Sequence, residues 1–271
     1  ASLDRHILEW AIALSGDPSV PSHEIAQAAA DLPAWPGLAA LRRNFERALY
    51  RENPPAKDVI AAFAKSTPQT PVGAAILACV NVAQGNAQAA HTVLAPLWRK
   101  AVMSADDEQA IISEFGSLLT ADDHFHRMSA MLYAERPASA GRVAKLANSE
   151  PLFAAWSAAI RKDAKTAGFV KVVPAEAQKL AGYQFAKALW LRKTGKLKDA
   201  AKVMAEAPQD AASLIDPDAW WNERRILARS LWDAGQTKLA YKTASMHAAQ
   251  SPTSAAEAEF HAGWIALRAL K

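Results

Sequence analysis

Residues 228–240 read ARSLWDAGQTKLA, and this stretch decides the fold class. Apolar and small residues recur three and four positions apart before Gly235, which is the period of an α-helix. Glycine readily adopts the left-handed backbone conformation that ends helices, so Gly235 predicts a helix end. Ala228 lies seven residues before this glycine and Ala240 five residues after it. We therefore expect two helices joined by a tight turn, with small residues where the helices touch.

The same pattern surrounds two other glycines, Gly85 and Gly195, and a weaker fourth copy surrounds Glu135. The matching alanines are Ala78, Ala90, Ala188, Ala200 and, after Glu135, Ala140. This spacing is typical of tetratricopeptide (TPR) helix pairs. Because Gly195 and Gly235 are 40 residues apart, the copies are irregular. The pattern predicts an all-α fold, a right-handed α-superhelix (solenoid) of irregular TPR-like hairpins; the alternative is a chance match in an alanine-rich chain.

The composition agrees with a helical chain. Alanine, the best helix former, contributes 63 of the 271 residues, and the apolar fraction of 51% excludes a disordered chain. Short loops separate roughly fourteen segments with helical periodicity. The only β-leaning stretch, residues 169–173, is too short to build a sheet. We expect residues 1–271 to form a single superhelical domain, although residues 1–105 match the pattern poorly.

The charge pattern excludes some classes of partner. The net charge is only +4, and no block of five or six like charges occurs, so no nucleic-acid-binding arm is predicted. A mild positive charge suits an anionic partner. No apolar run approaches the length of about 18 residues that a membrane span needs. The single cysteine, Cys79, excludes an intrachain disulfide, and its apolar helical neighbours predict a packed, inert thiol.

The known motifs of catalysis and cofactor binding are missing from the sequence. It has no glycine-rich phosphate loop, no GxSxG, no HExxH and no CxxC, so no cofactor, metal site or catalytic residue is predicted. His124 and His126 would point to different faces of a helix, which favours solvated or capping roles. The acidic pairs at residues 106–107 and 122–123 are interpreted as helix starts, where carboxylates meet free backbone N–H groups.

Tryptophan is common, with nine residues, and five of them lie in the last third of the chain: Trp190, Trp220, Trp221, Trp232 and Trp264. Most have helical spacing among apolar residues, which predicts core positions. Adjacent residues on a helix point about 100° apart, so we expect one of Trp220 and Trp221 to be exposed. Trp221 and Arg225 are therefore candidate binding residues; the alternative is that they pack over a groove edge.

Several runs resemble one known family, the soluble lytic murein transglycosylases. These runs are PDAWWNERR at 217–225, ARSLWDAG at 228–235, Ala240-Tyr241, AEFHAGWIALR at 258–268, and LTADDH at 119–124 with Arg127, Ala140 and Arg142. The resemblance covers the chain from about Asp106 onward and is to the superhelical region of the family. It contains no catalytic signature.

The resemblance implies a periplasmic protein of the bacterial cell wall. In this family a superhelical region is followed by a lysozyme-like domain, which cleaves the bond between N-acetylmuramic acid and N-acetylglucosamine to leave a 1,6-anhydro end. The catalytic glutamate normally lies in a Glu-Ser motif, and this sequence has no Glu-Ser dipeptide. We therefore expect the catalytic domain, and the leader peptide, to be absent from the chain as given, and the chain alone to be inactive.

Three functional hypotheses follow. The first is the non-catalytic domain of a lytic transglycosylase, a carbon–oxygen lyase acting on polysaccharide, with peptidoglycan glycan strands, the missing catalytic domain and another cell-wall protein as partners. The second is a free-standing TPR-like scaffold whose groove binds a protein partner. The third, a complete small enzyme on a helical fold, has no motif to support it.

Overall fold

The computed structural model describes residues 2–270, and these residues form seventeen α-helices, one short 3₁₀ helix and no β-strand. The prediction of an all-α protein is therefore confirmed. The β-leaning residues 169–172 belong to a helix. The chain divides into two compact units, one up to Asp123 and one from His124 onward. The prediction of one single domain stays a prediction.

The first unit contains seven helices and the start of an eighth. These are α1 (Leu3–Ser15), α2 (Ser22–Asp31), α3 (Leu38–Glu52), α4 (Ala56–Phe63), α5 (Pro71–Ala83), α6 (Ala87–Lys100), α7 (Ala105–Phe115) and α8 (Ala121–Tyr133). Within this unit α2 packs against α3, and α5 packs against α6. Trp10 anchors one of its apolar clusters and contacts Trp35 edge-on, with ring centroids 5.6 Å apart.

The second unit contains the remaining helices. These are α9 (Pro137–Val143), α10 (Glu150–Arg161), α11 (Thr166–Val172), a 3₁₀ helix (Ala177–Lys179), α12 (Ala181–Lys193), α13 (Leu197–Glu206), α14 (Ala211–Leu214), α15 (Pro217–Asp233), α16 (Thr237–Ser245) and α17 (Pro252–Ala269). Helices adjacent in sequence pack in pairs, α12 with α13 and α15 with α16, and α17 then packs on α15 and α16.

The three predicted glycine turns share one geometry. Gly85, Gly195 and Gly235 have φ of +75°, +77° and +69°, a conformation that costs L-residues energy but not glycine. At Gly235, its own N–H bonds to the Trp232 carbonyl (2.9 Å), and the Gln236 N–H bonds to the Leu231 carbonyl (2.8 Å). The same pair of bonds closes the helices at Gly85 and Gly195, which is the Schellman motif.

The six alanines that flank these glycines are all fully buried. Each has a relative exposure of 0%: Ala78, Ala90, Ala188, Ala200, Ala228 and Ala240. A larger side chain at any of them would have to displace the neighbouring helix. The predicted packing of small residues around each turn is therefore confirmed.

The fourth copy has the same turn on a less favourable residue. Glu135 adopts φ +54°, and its N–H bonds to the Leu132 carbonyl at 3.0 Å. Ala140, five residues later, is fully buried as in the other copies, whereas the earlier alanine is replaced by buried Met128. Two further non-glycine residues, Asn53 and Lys162, end helices in the left-handed conformation, at α3 and α10.

Two predictions about individual side chains need correction. His124 is buried, with a relative exposure of 4%, rather than solvated. Cys79 is half-buried rather than part of the core, and its thiol donates a hydrogen bond of 2.9 Å to Glu114. Burial and the Glu114 carboxylate raise the pKa of this thiol to about 12, so the predicted lack of reactivity fits this environment.

The acidic pairs do begin helices. The Ser104 hydroxyl accepts the Asp107 N–H at the start of α7 (3.1 Å). At the start of α8, the Asp123 N–H donates to the Thr120 hydroxyl (3.2 Å), and the Thr120 N–H donates back to the Asp123 carboxylate (2.8 Å). This reciprocal arrangement is a capping box, so the carboxylates stabilise helix ends as predicted.

Candidate functional site

A groove between α15 and α17 is the strongest candidate site in the second unit. It has a volume of about 250 Å³. Its lining residues are Arg229, Trp232 and Asp233 on α15 and Phe260, His261 and Trp264 on α17. The groove thus combines aromatic surface with charged groups of both signs.

A separate cavity of about 360 Å³ lies between α13 and α16. Both lie within the second unit. The groove is slightly smaller than the volume of about 300–1,000 Å³ that is usual for small-molecule pockets, and it is partly open to solvent. It therefore suits part of an extended ligand better than an enclosed small molecule.

The aromatic side of the groove is exposed. Phe260 and Trp264 lie one helical turn apart on α17, with relative exposures of 65% and 48%. Their rings are stacked, with centroids 6.1 Å apart and planes 20° apart, and the Arg268 guanidinium lies over the Trp264 ring at 5.1 Å. Leu267, which is 59% exposed, extends the apolar surface along the same helix. Such a flat, exposed apolar surface is a typical contact site.

The polar side of the groove is organised by His261. Its Nδ1 lies 2.8 Å from the Glu257 carbonyl oxygen, and its Nε2 lies 3.0 Å from Nη2 of Arg229. A carbonyl oxygen only accepts and a guanidinium only donates, so Nδ1 carries the proton and Nε2 accepts. This arrangement fixes the imidazole ring and the Arg229 side chain at the edge of the groove.

The structure places Trp221 beneath the groove instead of on its surface, which corrects the prediction that one of the two adjacent tryptophans is exposed. Trp220 and Trp221 have relative exposures of 1% and 2%. Trp221 contacts the rings of His247 and His261 edge-on, and its Nε1 donates a hydrogen bond of 3.0 Å to Glu257. Trp221 is buried because α17 covers the face of α15 that the pattern left open.

Arg225 is paired rather than free to bind a ligand. Its Nη1 lies 2.6 Å from the Glu257 carboxylate, and its Nη2 donates to Asn222 at 2.7 Å. Glu257 therefore contacts both predicted site residues. The hydrogen bond from Trp221 and the positive charge of Arg225 lower the pKa of the Glu257 carboxyl group. The two candidates hold α17 in place, and that helix carries the exposed aromatic residues.

The sequence-based search missed Phe260 and His261 as site residues and counted Trp264 only among the core tryptophans. The signal that could have found them is a second apolar stripe on α17. Its core face consists of Ala258, Ala262 and Ile265, all of which are buried. Phe260 and Trp264 lie outside that face, so they have no place in the same core.

Two buried glutamates, Glu46 and Glu223, are engaged in structural contacts. Glu46, fully buried in the first unit, accepts the backbone N–H groups of Gln69 and Thr70 at the start of α5. Glu223 in the second unit is paired with the Arg192 guanidinium; burial nevertheless raises the pKa of its carboxyl group. Neither glutamate lines the aromatic groove.

Residues 2–270 contain no group of three or more His, Cys, Asp or Glu side chains arranged to hold a metal ion. None of their helices combines the length and the apolar character needed to cross a membrane. Comparisons of the chain with protein-family models, with curated proteins and with solved structures find no match.

Proposed function

We propose that this chain is a non-catalytic α-superhelical domain of a periplasmic peptidoglycan lytic transglycosylase, and that the groove between α15 and α17 holds a glycan strand. The observation that carries the proposal is the exposed stack of Phe260 and Trp264 beside Arg229 and Asp233. The apolar face of a sugar ring packs on flat aromatic side chains, while its hydroxyl groups need polar partners at the edge.

The repeated helix ends support the superhelical part of the proposal. Four turns have one residue in the left-handed conformation and the same pair of backbone hydrogen bonds; they lie at Gly85, Glu135, Gly195 and Gly235. Stacked helix pairs of this kind form extended concave surfaces, and peptidoglycan glycan is an extended polymer. The mild positive charge of the chain favours contact with the carboxylates of peptidoglycan.

The proposal assigns cleavage to another domain of the full-length protein. A catalytic acid needs access to the substrate, whereas Glu46, Glu108 and Glu223 are all buried. The function proposed for this chain is therefore to position a glycan strand or the catalytic domain.

The direct test is binding of purified glycan strands from which the peptides have been removed. Replacing both Phe260 and Trp264 by alanine should weaken binding by about tenfold or more, because each stacking contact contributes about 0.5–1.5 kcal/mol. The matched control is Val172→Ala, which truncates an apolar side chain that is 68% exposed on α11. Absence of glycan binding by the unaltered chain would refute the proposal, and so would equal losses in the two variants.

A second experiment addresses the non-catalytic assignment. The chain is incubated with purified sacculi, and the soluble products are separated by mass. We expect no release of 1,6-anhydro muropeptides. Their release would mean that an acid within this chain performs the cleavage.

One observation favours the second candidate function, a TPR-like scaffold that binds a protein partner. Phe260, Trp264 and Leu267 form an exposed stripe at the spacing that apolar anchors on a helix use to bind another helix. In this case Leu267→Ala should weaken binding of a periplasmic protein partner as much as Trp264→Ala does. For a glycan ligand, Leu267→Ala should have a much smaller effect, because leucine provides no flat ring.

A further inference from the structure

A second cavity in the same unit has a different chemical character. It lies between α13 and α16 and has a volume of about 360 Å³, and its basic lining residues are Lys198, Lys202, Lys242 and Arg224. Glu206 is its one acidic lining residue. The cavity volume falls within the range of small-molecule sites. Three exposed lysines and the buried Arg224 thus line one space that is open to solvent, with a single negative side chain.

Arg224 forms the inner wall of this cavity and is 2% exposed. Its Nη2 donates to the Met204 carbonyl at 2.8 Å, and Nη1 lies 3.5 Å from the Thr243 carbonyl. These carbonyls are close to the C-terminal ends of α13 and α16, where the helix dipoles favour a cation. Burial lowers the pKa of Arg224 to about 10, so the guanidinium is still charged at neutral pH. Within residues 2–270 it forms no ion pair with a carboxylate.

The lysines carry positive charge that the described part of the chain does not neutralise. Lys198 and Lys202 lie four residues apart on α13, a spacing at which like charges repel each other. Lys242 approaches from α16. None of the three forms an ion pair with any residue between positions 2 and 270, although Glu206 lines the same cavity. Repulsion among these groups is relieved when an anion occupies the space between them.

We propose that the cavity between α13 and α16 binds a phosphate group. Lysine ammonium groups act as point charges that suit the several oxygens of a phosphate, and a phosphate carries a charge of about −1.5 to −2 near pH 7. The lysines provide the outer contacts, and the buried Arg224 supplies a fixed positive charge at the inner wall. The proposal is independent of the glycan groove, since the two sites have no lining residue in common.

Calorimetric titration of the full chain tests the proposal, with inorganic phosphate and glycerol 3-phosphate as probes and malonate as a carboxylate of comparable charge. We expect both phosphates to bind more tightly than malonate. Binding of glycerol 3-phosphate alone would identify an ester as the ligand, and binding of inorganic phosphate alone would identify the free ion. Equal or tighter binding of malonate, or no binding of either phosphate, would overturn the assignment.

Two double variants with the same change in charge locate the site. Replacing Lys202 and Lys242 by glutamine should weaken phosphate binding at least tenfold. The control replaces Lys171 and Lys238, which are exposed and do not line the cavity, and should leave the affinity within about twofold. Equal losses in the two variants would mean that phosphate responds to overall charge alone. Far-ultraviolet circular dichroism verifies that both variants are folded.

Discussion

The indole Nε1 of Trp220 donates a hydrogen bond of 2.9 Å to the hydroxyl group of Tyr133, a residue 87 positions earlier in the chain. Tyr133 also contacts Trp156 and Phe185 edge-on, with ring centroids 4.7 Å and 4.9 Å away, and Phe185 in turn contacts Trp220. Helices α8, α10, α12 and α15 each contribute one ring to this cluster. The second unit is therefore centred on four aromatic residues that one buried hydrogen bond connects.

Tyr133→Phe tests the worth of that hydrogen bond. The substitution leaves the buried Trp220 N–H without its acceptor, which should lower the free energy of unfolding by about 1–3 kcal/mol. Tyr241→Phe is the control, because Tyr241 is 36% exposed and loses only contact with water. Urea denaturation of both variants gives the comparison. Equal stability of the two would show that the hydrogen bond contributes nothing measurable.

Two glycine substitutions should change stability in opposite directions. Gly235 has φ +69° at a helix end, whereas Gly263 lies inside α17; a Cβ atom at either position would meet no atom within 4 Å. Gly235→Ala should destabilise the protein by about 1 kcal/mol, because an L-residue is strained in this conformation. Gly263→Ala should stabilise it by about 0.5–1 kcal/mol, because alanine favours a helix interior. Thermal unfolding of both variants measures the signs, and two changes of the same sign would contradict this account.

Trp221 and Trp264 separate structural from binding roles. Trp221→Ala removes a buried ring and its hydrogen bond to Glu257, so we expect a loss of about 3–5 kcal/mol in unfolding free energy. Trp264→Ala removes a side chain that is 48% exposed and should change stability by only about 0.5 kcal/mol. Chemical denaturation measures the unfolding free energy of both variants. A small loss of stability in Trp221→Ala would indicate that Trp221 is a surface contact.

The buried carboxylate of Asp123 predicts a pH dependence of stability. Burial alone would raise its pKa, but hydrogen bonds from Thr120, His91 and Arg99 outweigh this effect and hold the pKa well below its usual value. A carboxyl group whose pKa is lower in the folded state stabilises the fold above its unfolded pKa of about 3.9. That contribution is lost as the pH falls from about 4 toward the folded pKa.

Asp123→Asn should therefore cost about 1.5–3 kcal/mol at neutral pH, because it removes the buried charge that accepts hydrogen bonds from Arg99 and Thr120. The difference from the unaltered protein should shrink as the pH falls below about 4. Asp106→Asn, an exposed substitution in the first turn of α7, should cost at most about 1 kcal/mol. Urea denaturation across this pH range provides the measurement, and a difference that stays constant down to about pH 2 would contradict the assigned role.

The turns and their small residues were predictable because they depend on local chemistry. A left-handed helix end favours glycine, and this preference depends only on the nearest residues. An alanine at a fixed distance from that glycine indicates that the next helix packs closely. Gly235, Ala228 and Ala240 could therefore be interpreted from thirteen consecutive letters. Glu135 was found by spacing alone, although it is not a glycine. The left-handed helix end at Lys162 was not predicted, because lysine is not a residue type that indicates such a turn.

The amino-acid sequence by itself determined that this protein is helical, where several helices end and which alanines lie between them. Only the tertiary structure decided which aromatic rings are exposed. Trp221 and Trp264 both have helical spacing among apolar residues. Helix α17 packs over Trp221, whereas Trp264, which lies on α17 itself, is 48% exposed. Periodicity marks the apolar faces of a helix, whereas the covering of each face depends on a segment that is distant in sequence, here some thirty residues away from Trp221.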